Sequence, residues 1–312
     1  MIALAADFSG RMLAQYRQRG FGAVRPVHGA VLRNLGLTGT RVTVLAARAG
    51  ITHRAMAKIL AEVVALGFVS RRPDPRDRRA SLVEFTPLGL RLLEISSGII
   101  EGIYADYSAR VGASALEQLE RCLYDALVGL NIEVTSSGQQ ALHSSRPESR
   151  GGPSEIYLSH NLGRYLQLAA GDYHRRCAML MAASGHPSIR FDRLAVFSHL
   201  GLSGMTLTEL AKSANISLQA MGKQVRAVLK LNYIEMLTDS DDRRIRQVWF
   251  TTLGRRFLRD LLQTFEQIDR DYAQLLGEQR ARHLQDSLAT VVAALGLEVP
   301  VRTPITWQSR SG

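Results

Sequence analysis

Hydrophobic positions recur at helical spacing over most of the chain, and the predicted elements come in the same order in both halves. A long amphipathic helix opens the second half, where apolar side chains recur every three or four residues. They are Leu158, Leu162, Tyr165, Leu166, Tyr173 and Cys177. A second helix is predicted near 190–199 and, in the first half, near 26–34. The pattern therefore predicts a mainly helical protein with two similar halves.

Two short helices joined by a tight turn follow in each half. Thr206 and Glu209 have the spacing of a capping box, which predicts a helix start in the second half. The next helices are predicted over 52–66 and 217–231. Gly67 and Asn232 come directly after them, and both residue types tolerate the left-handed conformation that ends helices. Two short helices around such a turn are typical of a helix-turn-helix.

A two-stranded β-ribbon with a charged tip is predicted next in each half, with returning strands that end over 82–85 and 247–250. Thr86 and Thr251 are suited to cap the long helices that follow. A closing helix then completes each half. A helix-turn-helix followed by a β-ribbon is a winged helix, so we expect a mainly α fold with small β-wings.

The two halves form an ungapped repeat, because segments of the first half return 165 positions later (242 minus 77). The matched pairs include Asp77-Arg78-Arg79 with Asp242-Arg243-Arg244, Phe85-Thr86 with Phe250-Thr251, and Leu88-Gly89 with Leu253-Gly254. A repeat of domain length predicts duplication of a whole folding unit. We expect domains at 1–132 and 156–297, a flexible Ser- and Gly-rich linker at 133–155, and an extended tail at 298–312.

The segment from Asp77 to Gly89 resembles the wing and following helix start of the MarR (multiple-antibiotic-resistance) family of regulators, and 242–254 resembles it too. The resemblance implies a sequence-specific transcriptional regulator of double-stranded DNA, most commonly a repressor, that a small aromatic effector releases. Members pair as homodimers through their first and last helices. Here both protomers lie in one chain, so we expect an internal pseudo-dimer that reads an asymmetric or quasi-palindromic operator.

In a winged helix the second helix of the helix-turn-helix enters the major groove, and the wing reaches the adjacent backbone or minor groove. We expect DNA contacts from Thr52, His53, Arg54, Lys58, Arg76 and Arg78 in the first half, and from Ser217, Gln219, Lys223, Arg243 and Arg246 in the second. The family resemblance further implies wing-bracing ion pairs of Asp77 with Arg79 and of Asp242 with Arg244. More arginines in the first wing predict that it attracts phosphate more strongly.

Composition agrees with this interpretation. The 312 residues have a formal net charge of +11, which favours an anionic partner such as nucleic acid. Two cysteines cannot form a disulfide framework, which fits a reducing cytoplasm. We find no long apolar run that predicts a membrane span. Because no metal-ligand cluster, phosphate loop or Ser-His-Asp arrangement recurs in both halves, we expect neither catalysis nor a cofactor or metal.

Two other functions stay open at this point. Winged helices also bind proteins, and the acidic second wing fits a protein-interaction module. Some regulators of the family sense oxidants with a cysteine in the first helix, where Cys177 lies, although its position on an apolar stripe favours a buried structural thiol. We expect one chain to act as a monomeric pseudo-dimer; further self-association of two chains is left open.

Overall fold

The computed structural model describes residues 1–74, 77–132, 134, 162–188, 194–238 and 246–297, with the backbone alone at 77–80 and 194–195. The chain divides into two compact units. The first comprises Met1–Ala170 and Leu275–Glu298, and the second is built on Gly171–Gln274. The predicted linker at 133–155, apart from residue 134, and the predicted tail lie outside the described residues, so these domain boundaries remain predictions.

The helices confirm the predicted order. From residue 1 to 132 they are α1 (Ile2–Gln18), a 3-10 turn (Pro26–His28), α2 (Gly29–Leu32), α3 (Val42–Ala49), α4 (His53–Ala65), α5 (Pro87–Val111) and α6 (Ala113–Gly129). From residue 162 onward they are α7 (Leu162–Ala183), α8 (Leu194–His199), α9 (Leu207–Ser213), α10 (Leu218–Leu229), α11 (Thr252–Leu276) and α12 (Glu278–Ala294). The fold is thus mainly helical, as the hydrophobic pattern predicted.

Each wing is a three-stranded antiparallel sheet rather than the predicted two-stranded ribbon. In the first unit β1 (Thr40–Arg41), β2 (Val69–Asp74) and β3 (Asp77–Phe85) pair in the order β1-β3-β2. In the second, β4 (Met205–Thr206), β5 (Ile234–Thr238) and β6 (Arg246–Phe250) pair in the order β4-β6-β5. The short first strand was missed because two residues are too few to show an alternating pattern. It ties the start of α3 or α9 to the wing.

The repeated Leu-Gly pair has a steric cause. A Cβ atom built on Gly89 would lie 1.9 Å from the carbonyl oxygen of Phe68, and one on Gly254 would lie 1.9 Å from that of Tyr233. The first turn of α5 or α11 therefore packs directly on the backbone where the second strand begins. Any side chain at either glycine would separate the long helix from the wing. This contact explains why both halves have glycine there.

An Asp–Arg–Tyr cluster recurs in the two units at the same offset of 165 residues, with a half-buried carboxylate in the first and a buried one in the second, and sequence reasoning missed it. In the first unit, Tyr107 donates a hydrogen bond to Asp7, whose carboxylate also accepts from Arg11 Nε at 2.7 Å. In the second unit, Tyr272 donates to Asp172 at 2.8 Å, and Arg176 Nε donates to the same carboxylate at 2.7 Å. Each arginine also lies over the tyrosine ring, at 5.2 Å and 5.5 Å. The clusters fasten the first long helix of each half to its fifth.

The first unit contains helices from both halves of the sequence. Helix α6 packs against α12, and Cys122 Sγ lies 3.8 Å from Ser287 Oγ at equivalent positions of the repeat. The start of α7 lies against α1, where Gln167 Nε2 donates to Ser9 Oγ at 2.6 Å. A Cβ atom at Gly163 would lie 2.3 Å from the ring of Phe8, so these two helices approach closely.

The core of the second unit contains a polar cluster where the first unit has aromatic packing. In the first, Phe21 and Phe68 pack with ring centroids 6.0 Å apart. At the equivalent positions of the second, the buried ring of His186 bonds Tyr233 Oη through Nδ1 and Asp260 Oδ2 through Nε2, each at 2.9 Å. A histidine and a carboxylate thus connect the end of α7, the wing and α11 where the first unit uses apolar contact.

Candidate nucleic-acid interface

The two predicted recognition helices are α4 and α10, and both begin at hydroxyl N-caps. Thr52 Oγ1 accepts a hydrogen bond from Ala55 N at 3.2 Å, and Ser217 Oγ accepts from Ala220 N at 3.2 Å. The turns before them contain Gly50 (φ 63°) and Asn215 (φ 50°), which supply the left-handed residue that this turn needs. Thr52 and Ser217 are therefore structural caps, and both remain exposed at the start of the predicted interface.

The buried side chains of each recognition helix determine which face is available to DNA. Helix α4 buries Met56, Leu60 and Val63, and α10 buries Met221, Val225 and Val228. Because these positions lie on one side of each helix, the opposite side points away from the core. On α4 that outward face contains Arg54, Lys58, Ala61 and Ala65, and on α10 it contains Gln219, Lys223, Arg226 and Lys230, all exposed. His53 is also exposed, at the first turn of α4.

Two ion pairs stiffen the first wing. Arg41 on β1 donates through Nε to Asp74 Oδ2 at 2.7 Å, and its Nη2 lies 2.6 Å from the same oxygen. Arg72 on β2 makes a bidentate pair with Glu84 on β3, with bonds of 2.7 Å and 2.6 Å. The carboxylate of Asp74 is buried, so its arginine partner matters more than that of an exposed pair.

The second wing has apolar residues at the two positions where the first wing has the Arg72–Glu84 ion pair. The residues equivalent to Arg72 and Glu84 are Leu237 and Trp249, and a Cβ atom on Gly204 would lie 2.3 Å from the indole of Trp249. Of the basic residues predicted to contact DNA from this wing, Arg246 begins β6 and is exposed.

Several predicted wing residues lie outside the described part of the structure. These are Arg76, Asp242, Arg243 and Arg244, together with the side chains of Asp77, Arg78 and Arg79. The Asp77–Arg79 and Asp242–Arg244 braces therefore stay predictions. The brace that the structure describes in the first wing joins Asp74 to Arg41, 33 residues earlier. No local motif relates two residues so far apart, so sequence reasoning had no signal for this pair.

Arg226 and Lys230 were also missing from the predicted interface, although a helical-wheel projection would have found them. They follow Lys223 at spacings of three and seven residues, which places all three cations on the outward face of α10. The prediction stopped at the first turns of the helix, where base contacts are expected, and so omitted its second half.

The first unit also contains a small cavity of about 120 Å³. Its walls come from α1, α2, α5 and the start of α7, and include Met12, Tyr16, Leu32, Arg33, Leu92 and Arg164. Tyr16 Oη and Ser96 Oγ share a hydrogen bond of 2.7 Å at its edge. In the second unit, the residues equivalent to Leu32 and Leu92 are Phe197 and Phe257, whose rings pack with centroids 4.3 Å apart. Aromatic rings thus occupy space that aliphatic side chains leave open in the first unit.

The thiol of Cys177 is buried, and burial raises its pKa to about 11. Such a thiol is almost entirely protonated at neutral pH and reacts slowly with oxidants, which argues against redox sensing at this residue. Within the described ranges, no group of three or more His, Cys, Asp or Glu side chains could hold a metal ion. In the same residues, the helices are too short or too polar to cross a membrane.

Comparison with known proteins finds one family model that matches the first winged helix. Residues 24–80, from just before α2 into β3, match the family model described as MarR family. A search of curated proteins finds no match. Solved structures that resemble the chain include a mutant of MepR from S. aureus (14% identity, TM-score 0.35, covering 42% of this chain and 96% of that one).

Two further structures contain DNA. Another MepR mutant, bound to an oligodeoxyribonucleotide, has 13% identity and a TM-score of 0.33, and the match covers 44% of this chain and 99% of that one. A mutant of MarR from E. coli complexed with operator DNA has 19% identity and a TM-score of 0.30, with 45% and 95% covered. The MarR family model thus matches this chain over residues 24–80, which contain the helix-turn-helix and part of the first wing.

Proposed function

We propose that the protein is a sequence-specific regulator of transcription that binds double-stranded DNA with both recognition helices of one chain and represses by occupying its operator. The observation that carries the proposal is the outward face of α4, where Arg54 and Lys58 are exposed opposite a fully buried apolar side. Arginine and lysine at the start of a recognition helix are the side chains that read guanine edges and contact phosphate in the major groove.

The packing of α6 on α12 supports an internal pseudo-dimer. These are the closing helices of the two halves, and Cys122 and Ser287 face each other across them at equivalent positions. In a homodimer related by a twofold axis, equivalent residues of the two protomers meet near that axis. We infer that the chain pairs its own halves in this manner. The pairing is then independent of protein concentration, because a covalent connection makes it intramolecular.

The two recognition helices favour different bases at equivalent positions. Arg54 in α4 is replaced by Gln219 in α10, and both are exposed in the first turn. Arginine pairs best with guanine and glutamine with adenine. An operator with guanine in one half-site and adenine at the symmetry-related place of the other would satisfy both. We therefore expect an asymmetric or quasi-palindromic operator with half-sites about one helical turn apart.

The cavity of the first unit supports regulation by a small aromatic effector. Its volume of about 120 Å³ is close to that of a cavity that accepts one benzene ring, about 150 Å³. Arg25, Arg33 and Arg164 line it together with apolar side chains, a combination suited to a ring that carries an acidic group. We propose that such a ligand releases the protein from DNA. Titration of the DNA complex with single-ring aromatic carboxylates and their neutral amides would test both the ring and the charge requirement.

The test of the proposed function is selection of bound duplexes from a random pool, with the molar mass of the complex measured by light scattering. One chain on an asymmetric site would support the pseudo-dimer, whereas two chains on a longer symmetric site would show further self-association. Failure to enrich any sequence would contradict the proposal and favour a protein-interaction module.

The variant Arg54→Gln gives the selection an internal control, because it installs the residue of the second recognition helix in the first. We expect the preferred base to change from guanine to adenine in one half-site only. A uniform loss of affinity across all sequences would instead identify Arg54 as a phosphate contact.

A further inference from the structure

The outward faces of the two recognition helices share a lysine at equivalent positions, Lys58 and Lys223, and differ at both ends. On α4 the cations are Arg54 and Lys58, in the first half of the helix, and the face continues with the alanines 61 and 65. On α10 the first outward residue is the neutral Gln219, and three cations follow. We call these three, Lys223, Arg226 and Lys230, the α10 basic stripe.

From this difference we propose that the α10 basic stripe is a phosphate-binding surface, which anchors the second half-site of the operator while Gln219 contacts its bases. The inference rests on the proposed DNA-binding function and goes beyond it, since it assigns the second helix a backbone-binding task beside its base contact. Helix α4 has its distinctive cation, Arg54, in the first turn, whereas α10 has its distinctive cations, Arg226 and Lys230, at the opposite end.

The geometry of the stripe fits the edge of a major groove. Lys223 and Lys230 are seven residues apart, which corresponds to about 10 Å along a helix. The major groove of B-DNA is about 12 Å wide. A helix that inserts its first turn into the groove therefore carries residues two turns later to the groove's edge, where the phosphates lie. Arg226 and Lys230 lie about 10 Å and 16 Å along the helix from Gln219, so they are directed to the phosphates when Gln219 contacts a base, and Lys223 lies one turn from Gln219 at the start of the same stripe.

The charges of the stripe are available for a ligand. All three side chains are exposed, and none has an ion-pair partner among the described residues. Together with Ala227 and Leu231 they line one surface depression. The charged residue Glu62 of α4, which is equivalent to Ala227, is by contrast already paired within its own unit. It binds Arg25 and lies 3.3 Å from His28 Nε2.

A basic stripe at this place also compensates for the weaker second wing. In the first wing, Arg71 and Arg72 are exposed on β2, whereas their equivalents on β5 are Met236 and Leu237. Because Arg246 replaces Ser81, the second unit has one wing cation fewer at these described positions. It has one more on its recognition helix, because Arg226 and Lys230 replace alanines while Gln219 replaces Arg54. The phosphate contacts of the second unit are thus shifted from wing to helix rather than lost.

The test is the salt dependence of DNA binding by the triple variant Lys223→Ala, Arg226→Ala, Lys230→Ala. Each phosphate contact contributes about 0.9 to the slope of log Kobs against log salt concentration. We expect the slope to fall by about 3 with the preferred sequence unchanged. The probe is a duplex of about 30 base pairs, three helical turns, used both as the selected operator and as a random-sequence pool. Alanine is a good helix former, so the exposed substitutions should preserve α10, which circular dichroism would check.

A matched control removes the same charge elsewhere. Arg121, Arg280 and Arg282 are exposed on α6 and α12, and replacing them by alanine lowers the net charge by the same three units. If this control variant lowers the slope as much as the stripe variant, a general charge effect accounts for the result and the proposed surface is refuted. An unchanged slope in the stripe variant refutes it as well. If the wild-type protein forms no salt-dependent complex with either probe, both the proposed function and this inference fail.

Discussion

Removing the tyrosine hydroxyl from each Asp–Arg–Tyr cluster should destabilise the two units unequally. Tyr272→Phe deletes one hydrogen bond to Asp172, and Tyr107→Phe deletes one to Asp7, while both rings stay in place. A hydrogen bond to a charged group is worth about 1.5–3 kcal/mol. The side chain of Asp172 is 5% exposed and that of Asp7 is 22% exposed. Water can replace the lost donor at Asp7 more easily. We therefore expect the free energy of unfolding to fall by about 2–3 kcal/mol in Tyr272→Phe and by about 1.5 kcal/mol in Tyr107→Phe.

Hydrogen exchange followed by mass spectrometry is the suitable assay, since it assigns the change to a unit. Peptides from 171–183 should exchange faster in Tyr272→Phe, and peptides from α1 in Tyr107→Phe. Tyr124→Phe is the control, because its phenol is largely exposed and only its ring makes a described contact, with Tyr165. The prediction would be refuted if all three variants protected their amides from hydrogen exchange equally. It would also be refuted if either Tyr272→Phe or Tyr107→Phe accelerated exchange in both units.

The pH dependence of this effect has a definite sign. Burial raises the pKa of Asp172, but the hydrogen bonds from Arg176, Arg175 and Tyr272 outweigh it, and the net shift is downward. A carboxylate with a lowered pKa stabilises the folded state above its ordinary pKa, about 3.9, and this contribution is lost as the pH falls through the folded value. The difference between wild type and Tyr272→Phe should therefore persist at neutral pH and shrink in acid.

Two further substitutions test other parts of the structure. Ser287→Cys should form a disulfide with Cys122, because the two side-chain atoms lie 3.8 Å apart; if both thiols stay fully alkylatable after oxidation, α6 does not pair with α12. Gln224→Ile should raise the free energy of unfolding by about 1 kcal/mol, because the buried Oε1 of Gln224 has no hydrogen-bond partner among the described residues and Ile59 occupies the equivalent place in α4. Chemical denaturation would measure the free energy of unfolding of Gln224→Ile. A lower value than in the wild-type protein would contradict the explanation.

Local chemistry explains how much of the fold could be predicted. Caps such as Thr86 and Thr206, and left-handed helix ends such as Gly67 and Asn232, depend on neighbouring residues alone, and the structure confirms them. Contacts between distant residues have no such signal. Asp7 and Tyr107 are 100 residues apart, so their hydrogen bond was invisible until the fold brought α1 onto α5.

In the candidate site, too, local features could be predicted from the sequence and contacts between distant residues could not. Periodicity placed Arg54, Lys58 and Lys223 on the exposed faces of their helices, because the buried apolar side leaves one direction free. The Arg41–Asp74 ion pair could not be predicted, since it depends on a two-residue strand that aligns with the wing only in the folded sheet. A comparison of the two halves of the repeat could have extended the prediction of the site. Comparing each residue with its partner 165 positions away would have revealed that the recognition helices share one lysine and carry their other cations at different ends.

The packing of α12 on α6 has a consequence for protein synthesis. Helix α6 ends at residue 129, but the helix that packs on it spans Glu278–Ala294, so this later helix must leave the ribosome before the first unit can complete its core. Until then the apolar side of α6 is exposed on a nascent chain and is a natural target for chaperones. A premature stop between the halves would accordingly release an incomplete first unit rather than half of a working pair.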